Sequence, residues 1–88
     1  MKAMVLEAFN QPPIWRDTPD PEIGPRDVLV RVRAAGLCAT DLKIVDGLVP
    51  GVNLPHVSGH EAAGEIAEIG SEVTGLVVGD HVTLYPTV

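Results

Sequence analysis

Cysteine is nearly absent from this 88-residue chain: Cys38 is the only one, and a lone cysteine cannot close an internal disulfide. It is left as a buried thiol, a reactive thiol or a metal ligand, all of which suit a reducing compartment. Positive charge is also scarce. Six Lys and Arg stand against twelve Asp and Glu, for a net charge of −6, and the cations are scattered, which argues against a nucleic-acid or anionic-membrane surface. No apolar run approaches the roughly 18 residues a membrane helix needs. The opening Met1-Lys2-Ala3-Met4-Val5-Leu6-Glu7 carries an acid within its apolar run and no small-residue cleavage site, so no leader peptide is expected. These lacks point to a cytoplasmic protein. No Gly-x-Gly-x-x-Gly occurs, nor a strand-to-helix turn followed by a ribose-binding acid, so a dinucleotide-binding half is expected to be missing from this stretch. Internal repeats and low-complexity tracts are missing too.

What is present reads as strands broken by Gly and Pro, enough for one small domain over residues 1–88. A chain of this size buries only about 60 to 65% of its extended surface, which leaves it marginal without metal, partner or further chain. Asp27 to Ala35 alternates, with Val28, Val30, Val32 and Ala34 on one face and Arg31 and Arg33 on the other, as expected of a half-buried strand. Met1 to Phe9 is an apolar run ending at Asn10-Gln11-Pro12-Pro13 and suits a strand entering a turn, with Ile14-Trp15-Arg16-Asp17 as its return. Pro19, Pro21, Gly24 and Pro25 mark an irregular connector, since proline cannot donate to a central ladder. Thr40 to Val45 reads as a short helix, begun near Cys38 and closed by Gly47. Val49 to Ser58 reads as a loop. Ala62 to Ile69 is ambiguous by propensity, because Ala and Glu favour helix and Gly64 opposes it. Gly75 and Gly79-Asp80 bracket a turn, and His81 to Tyr85 alternates as a last strand. Trp15, Phe9 and Tyr85 are expected in a core or a domain interface, and His56 and His81 at the surface without a ligand role.

The chemistry concentrates in two segments. Gly59-His60-Glu61-Ala62-Ala63-Gly64, followed by Gly70 and Val73, sets an imidazole beside a carboxylate in a glycine-punctuated stretch. Upstream, Cys38 stands between an apolar strand and a helix start, where amide donors and the helix dipole favour a thiolate. A thiolate with an imidazole is half of a borderline-soft site of the kind zinc occupies. Read one residue at a time, Cys38 could equally be a small buried hydrophobe, His60 a hydrogen-bonding loop residue, Asp41 a first-turn helix acid and Thr40 an N-cap.

Taken whole, the pattern Gly59-His60-Glu61-x-x-Gly64-x(5)-Gly70-x-x-Val73 closely resembles the zinc-containing alcohol dehydrogenases of the medium-chain dehydrogenase superfamily. Gly36-Leu37-Cys38-Ala39-Thr40-Asp41-Leu42-Lys43, Leu54-Pro55 and Gly79-Asp80-His81-Val82 match the same family in the same order. The resemblance spans nearly the whole chain but only the opening part of a family member. It implies an all-β fold, a partly open GroES-like β-barrel with one short helix, and it tips Ala62 to Ile69 toward strand. It implies Cys38 and His60 as zinc ligands, with a third ligand and any structural zinc beyond Val88. It places Glu61 near the metal, in some relatives as an exchanging ligand, although alternation along an extended segment would turn it away from His60. It gives Asp41 the role of accepting the second ring N–H of the zinc-bound histidine. Thr40 takes the family's Ser or Thr position, whose hydroxyl bonds the substrate alcohol and passes its proton outward. Lys43 departs from the pattern, standing where many relatives carry a relay histidine on the same helix face; a lysine, with an ordinary pKa of about 10.4, is a poor acceptor at neutral pH. The implied activity is hydride transfer between a small alcohol and NAD(P), giving an aldehyde or ketone, by a full-length homodimer or homotetramer. The other readings are a metal-free GroES-like or quinone-reductase-type barrel, needing neither Cys38 nor His60, and a non-catalytic module that binds a protein partner along a strand edge.

Overall fold

Met1–Asp20 and Leu37–Gly59 form one compact unit of the chain, and Pro21–Gly36 and His60–Val88 another, in a computed structural model that describes residues 1–86. The described residues are mostly strand and loop, with one short helix.

In the first unit β1 (Lys2–Val5) pairs antiparallel with β2 (Ile14–Asp17), Lys2 opposite Asp17 and Val5 opposite Ile14. Alternation assigns the faces: Ala3 and Val5 are buried, Lys2 and Met4 exposed. The turn between them holds Asn10 at φ 60, a left-handed conformation that asparagine tolerates better than most residues. β1 is shorter than the apolar run suggested. After Val5 the chain changes partner, and Leu6 exchanges both backbone hydrogen bonds with His56, at 2.8 and 2.9 Å. That bridge pins the otherwise irregular 49–58 loop and buries Leu6 almost completely.

The helix α1 (Ala39–Val45) also belongs to this unit. It starts one residue before Thr40, with Cys38 as its N-cap in extended conformation. The Asp41 carboxylate accepts the Cys38 backbone N–H at 3.0 Å, satisfying a backbone donor at the helix start. Ile44 and Asp41 point inward; Leu42 and Lys43 face out. At the other end Gly47, at φ 73, donates to Ile44 O and Leu48 donates to Lys43 O, at 3.1 and 2.9 Å. This is the paired closure a left-handed residue after the helix allows, and it is the capping expected of Gly47.

The second unit is a three-stranded antiparallel sheet in the order β3 (Val28–Gly36), β4 (Glu61–Ile69), β5 (His81–Thr83). The Ala62–Ile69 stretch is therefore strand, against its helical propensity. Gly64 shows why: a Cβ there would run into the backbone carbonyl of Arg31, so only glycine lets β4 lie this close to β3. Ile66 is the fully buried side chain of the sheet.

Two register shifts, between Leu29 and Val30 and between Val32 and Ala34, break the period of two. The half-buried expectation for β3 holds only for Val28 to Val30; from Arg31 to Gly36 the strand is exposed, Val32 by 55%. Arg33, passed over by the second shift, donates to the Glu65 carboxylate at 2.6 Å, and Arg31 stands 3.7 Å from it. The Arg33 hydrogen bond, then its charge, hold the Glu65 carboxyl below the ordinary carboxylate range. β5 stops at Thr83, short of the expected Tyr85. Trp15 and Tyr85 are 62% and 84% exposed and Phe9 37%, so none belongs to the core of these residues.

Candidate functional site

The β3–β4 register sets where the donors lie along the chain. Gly36 is opposite Glu61, so β3 ends where β4 begins. Cys38 follows Gly36 by two residues, and His60 precedes Glu61 by one. His60 and Glu61 belong to the second unit and Cys38, Thr40, Asp41 and Lys43 to the first.

On the His60 side, the imidazole is half-buried and Glu61 more exposed. Glu61 does not turn away as simple alternation implied: its Oε2 lies 4.0 Å from His60 Nε2. The reason is positional. The strand begins at Glu61, and Gly59, at φ 123, breaks the extended chain just before His60, so the period-two rule does not yet apply to this pair. The separation is longer than a hydrogen bond.

On the Cys38 side, the thiol is half-buried and its Sγ lies 3.8 Å from Thr40 Oγ1, the thiol donating. Thr40 sits inside α1, not at its cap, so its hydroxyl is not taken up by closing the helix start; Asp41 does that. Asp41 is 6% exposed, and its hold on the Cys38 amide fixes the backbone that carries the thiol. Lys43, one helical turn beyond Thr40, is exposed in the last turn of α1. His56 serves through its backbone in the bridge to Leu6, and exposed His81 lies across from Glu65.

A thiol, an imidazole and a carboxylate are a donor set that suits zinc, whose sites draw on sulfur, nitrogen and carboxylate oxygen. Two such donors with an adjacent carboxylate do not complete a tetrahedral protein site, but they fit part of one. That Gly36 pairs with Glu61 depends on a cross-strand register that spacing along the chain does not reveal.

The family described as the alcohol dehydrogenase GroES-like domain matches residues 24–87. An L-threonine 3-dehydrogenase of Streptomyces avermitilis is 46% identical over 87 residues, covering 94% of this chain and 25% of that protein. An NAD-dependent alcohol dehydrogenase of Sulfolobus acidocaldarius is 40% identical over 92 residues, covering 98% of this chain and 27% of its own. Among solved structures, the alcohol dehydrogenase of Aeropyrum pernix superposes with a TM-score of 0.90 at 40% identity, covering 98% of this chain and 26% of that one. The chain thus spans about a quarter of the length of the curated relatives it matches, and the all-β class with one short helix, as expected for a GroES-like fold, holds. On the match to most of its residues and on these relatives, the chain belongs to the alcohol dehydrogenase GroES-like domain family.

Proposed function

We propose that these residues are the amino-terminal catalytic-domain segment of a cytoplasmic, homo-oligomeric, zinc-dependent oxidoreductase that moves hydride between an alcohol and NAD(P), the alcohol becoming an aldehyde or ketone with release of one proton. The observation that carries the reading is the pairing of Gly36 with Glu61, which ties the segment bearing Cys38 and the segment bearing His60 to one end of the same strand pair. Relatives named as alcohol and L-threonine dehydrogenases support the reaction class.

Cys38 and His60 would hold the zinc, with Glu61 beside them as a carboxylate able to enter or leave the ligand set. When bound, the metal supplies Lewis acidity to a substrate oxygen, while the nicotinamide carries the hydride. The chain's own residues do the rest. Asp41 holds the Cys38 amide, so the thiol cannot swing with a fraying helix end. Thr40 Oγ1, 3.8 Å from Cys38 Sγ and free of capping duty, is the group placed to take and pass the alcohol proton. Lys43 lies on the exposed helix surface and is the weaker member of any such path, since an ammonium has no lone pair with which to accept a proton.

The test uses the full-length protein. Metal analysis alongside NAD(P)H formation from primary, secondary and polyol substrates should find zinc and turnover in the unaltered protein and neither in Cys38→Ser or His60→Ala, each of which deletes a donor. Stoichiometric zinc with normal rates in either variant would overturn the assignment.

A further inference from the structure

The helix α1 carries Thr40 and, at its N-cap, Cys38, yet among the described residues no strand packs extensively against it. A helix of seven residues is too short to hold itself, so its ends decide how firmly it sits. At the carboxyl end the carbonyls of Leu42, Lys43 and Ile44 are closed locally, by the amides of Asp46, Leu48 and Gly47 at 3.1, 2.9 and 3.1 Å. Val45 O is not. Its donor is the Asn10 N–H, at 2.7 Å, reaching in from the turn between β1 and β2. The same turn sets Phe9 beside the helix end, where a Cβ on Gly47 would lie 3.3 Å from Phe9 Cγ. Asn10 makes its contact from the left-handed region, at φ 60, a conformation that glycine adopts freely, asparagine tolerates and β-branched residues resist. All these residues lie in one unit of the chain.

We propose that Asn10 is a positioning residue for Thr40: its turn is the seat of α1, and its hydrogen bond to Val45 sets the tilt at which the helix presents the Thr40 hydroxyl. The proposal rests on the reading of Thr40 as the proton-passing group and deepens it. Cys38 has other restraints, since Asp41 holds its amide and a bound metal would hold its thiol; Thr40 is placed by the helix. The helix is about 10 Å long, so a pivot at Val45 is carried to Thr40. An error of about 1 Å at a reacting group can cost about 100-fold in rate. Asn10→Val forces a β-branched residue into the left-handed region, and the turn relaxes by giving up the Val45 carbonyl. Asn10→Gly keeps the conformation and the bond.

The experiment measures zinc content, kcat and KM, with rates normalised to bound zinc, in full-length wild type, Asn10→Gly, Asn10→Val, Thr40→Val and the double variant of Asn10→Val with Thr40→Val. Asn10→Val should keep zinc and KM but lower kcat about ten-fold, with Asn10→Gly close to wild type. Where Thr40 is already Val, Asn10→Val should cost less than about two-fold, because residues acting through one path are not additive. A loss caused only by fewer folded molecules would recur in both backgrounds. Wild-type kcat in Asn10→Val, equal losses in the Val and Gly variants, or an undiminished loss in the double variant would overturn the proposal while leaving the zinc reading in place. Equal turnover in Thr40→Val and Thr40→Ser would remove Thr40 from the proton path and this proposal with it. Amide hydrogen exchange on the unaltered protein needs no variant to fold. Asn10 is exposed, so slow exchange of its amide supports the bond to Val45, and exchange at the free-chain rate overturns the proposal.

Discussion

At its Val28–Ile69 end the β3–β4 pair is packed and tied. Ile66 and Gly70 are buried, Val28 to Val30 half-buried, and Gly70 donates to Asp27 O at 2.8 Å. At the Gly36–Glu61 end the residues facing each other are Ala34 and Ala63, Ala35 and Ala62, and then Gly36 and Glu61, with β3 exposed throughout. One end is held by burial; the other is built from small side chains that leave room beside the strands. The chain leaving that open end carries Cys38 and Thr40, and the chain arriving carries His60. Register is thus secured away from the residues assigned to chemistry, which teaches that stability and reactivity should respond to different substitutions in the same sheet.

The strongest challenge to this separation is Ile66→Ala. Truncating an almost fully buried Ile typically costs about 2–5 kcal/mol, so denaturant unfolding of the full-length protein should show a loss in that range in the domain that holds β4. Zinc content of the still-folded protein should be unchanged. A loss under about 1 kcal/mol would show that Ile66 is not the anchor of its end, and zinc lost in the folded protein would show that the two ends are not separable.

A smaller effect sharpens the other side. Thr40→Val in the full-length enzyme should keep zinc and stability but lower turnover roughly 100-fold, the size typical of a positioned proton-transfer group, while Thr40→Ser stays mild. Since Cys38, not Thr40, is the helix N-cap, the two variants should unfold alike. Turnover that is equal in Val and Ser would remove the hydroxyl from the proton path.

Much of this was legible in the sequence, for identifiable reasons. Gly47 as the helix closure, the Ile14–Asp17 return strand and the presence of a strand at β3 all follow from local backbone chemistry, and each stands in the structure. The burial of β3 beyond Val30 was not legible. Alternation shows which residues share a face but not whether anything covers it, and two register shifts interrupt the face itself. Trp15 and Tyr85, expected in a core or a domain interface, are not in the core of these residues, since bulk and apolarity do not name a partner. Ala62–Ile69 needed the carbonyl of Arg31 against Gly64 to override helical propensity. Cys38 and His60 could be proposed as donors from type and motif, whereas the pairing of Gly36 with Glu61 depends on a register that sequence spacing does not carry.

X-ray absorption at the zinc edge of the full-length protein tests the central claim most directly, that Cys38 and His60 are metal ligands. The account predicts a sulfur shell at about 2.3 Å with imidazole nitrogen at about 2.0–2.1 Å, the sulfur shell weakened in Cys38→Ser if any zinc remains bound there. A wild-type spectrum containing only nitrogen and oxygen donors, or a sulfur shell unaffected by Cys38→Ser, would contradict it.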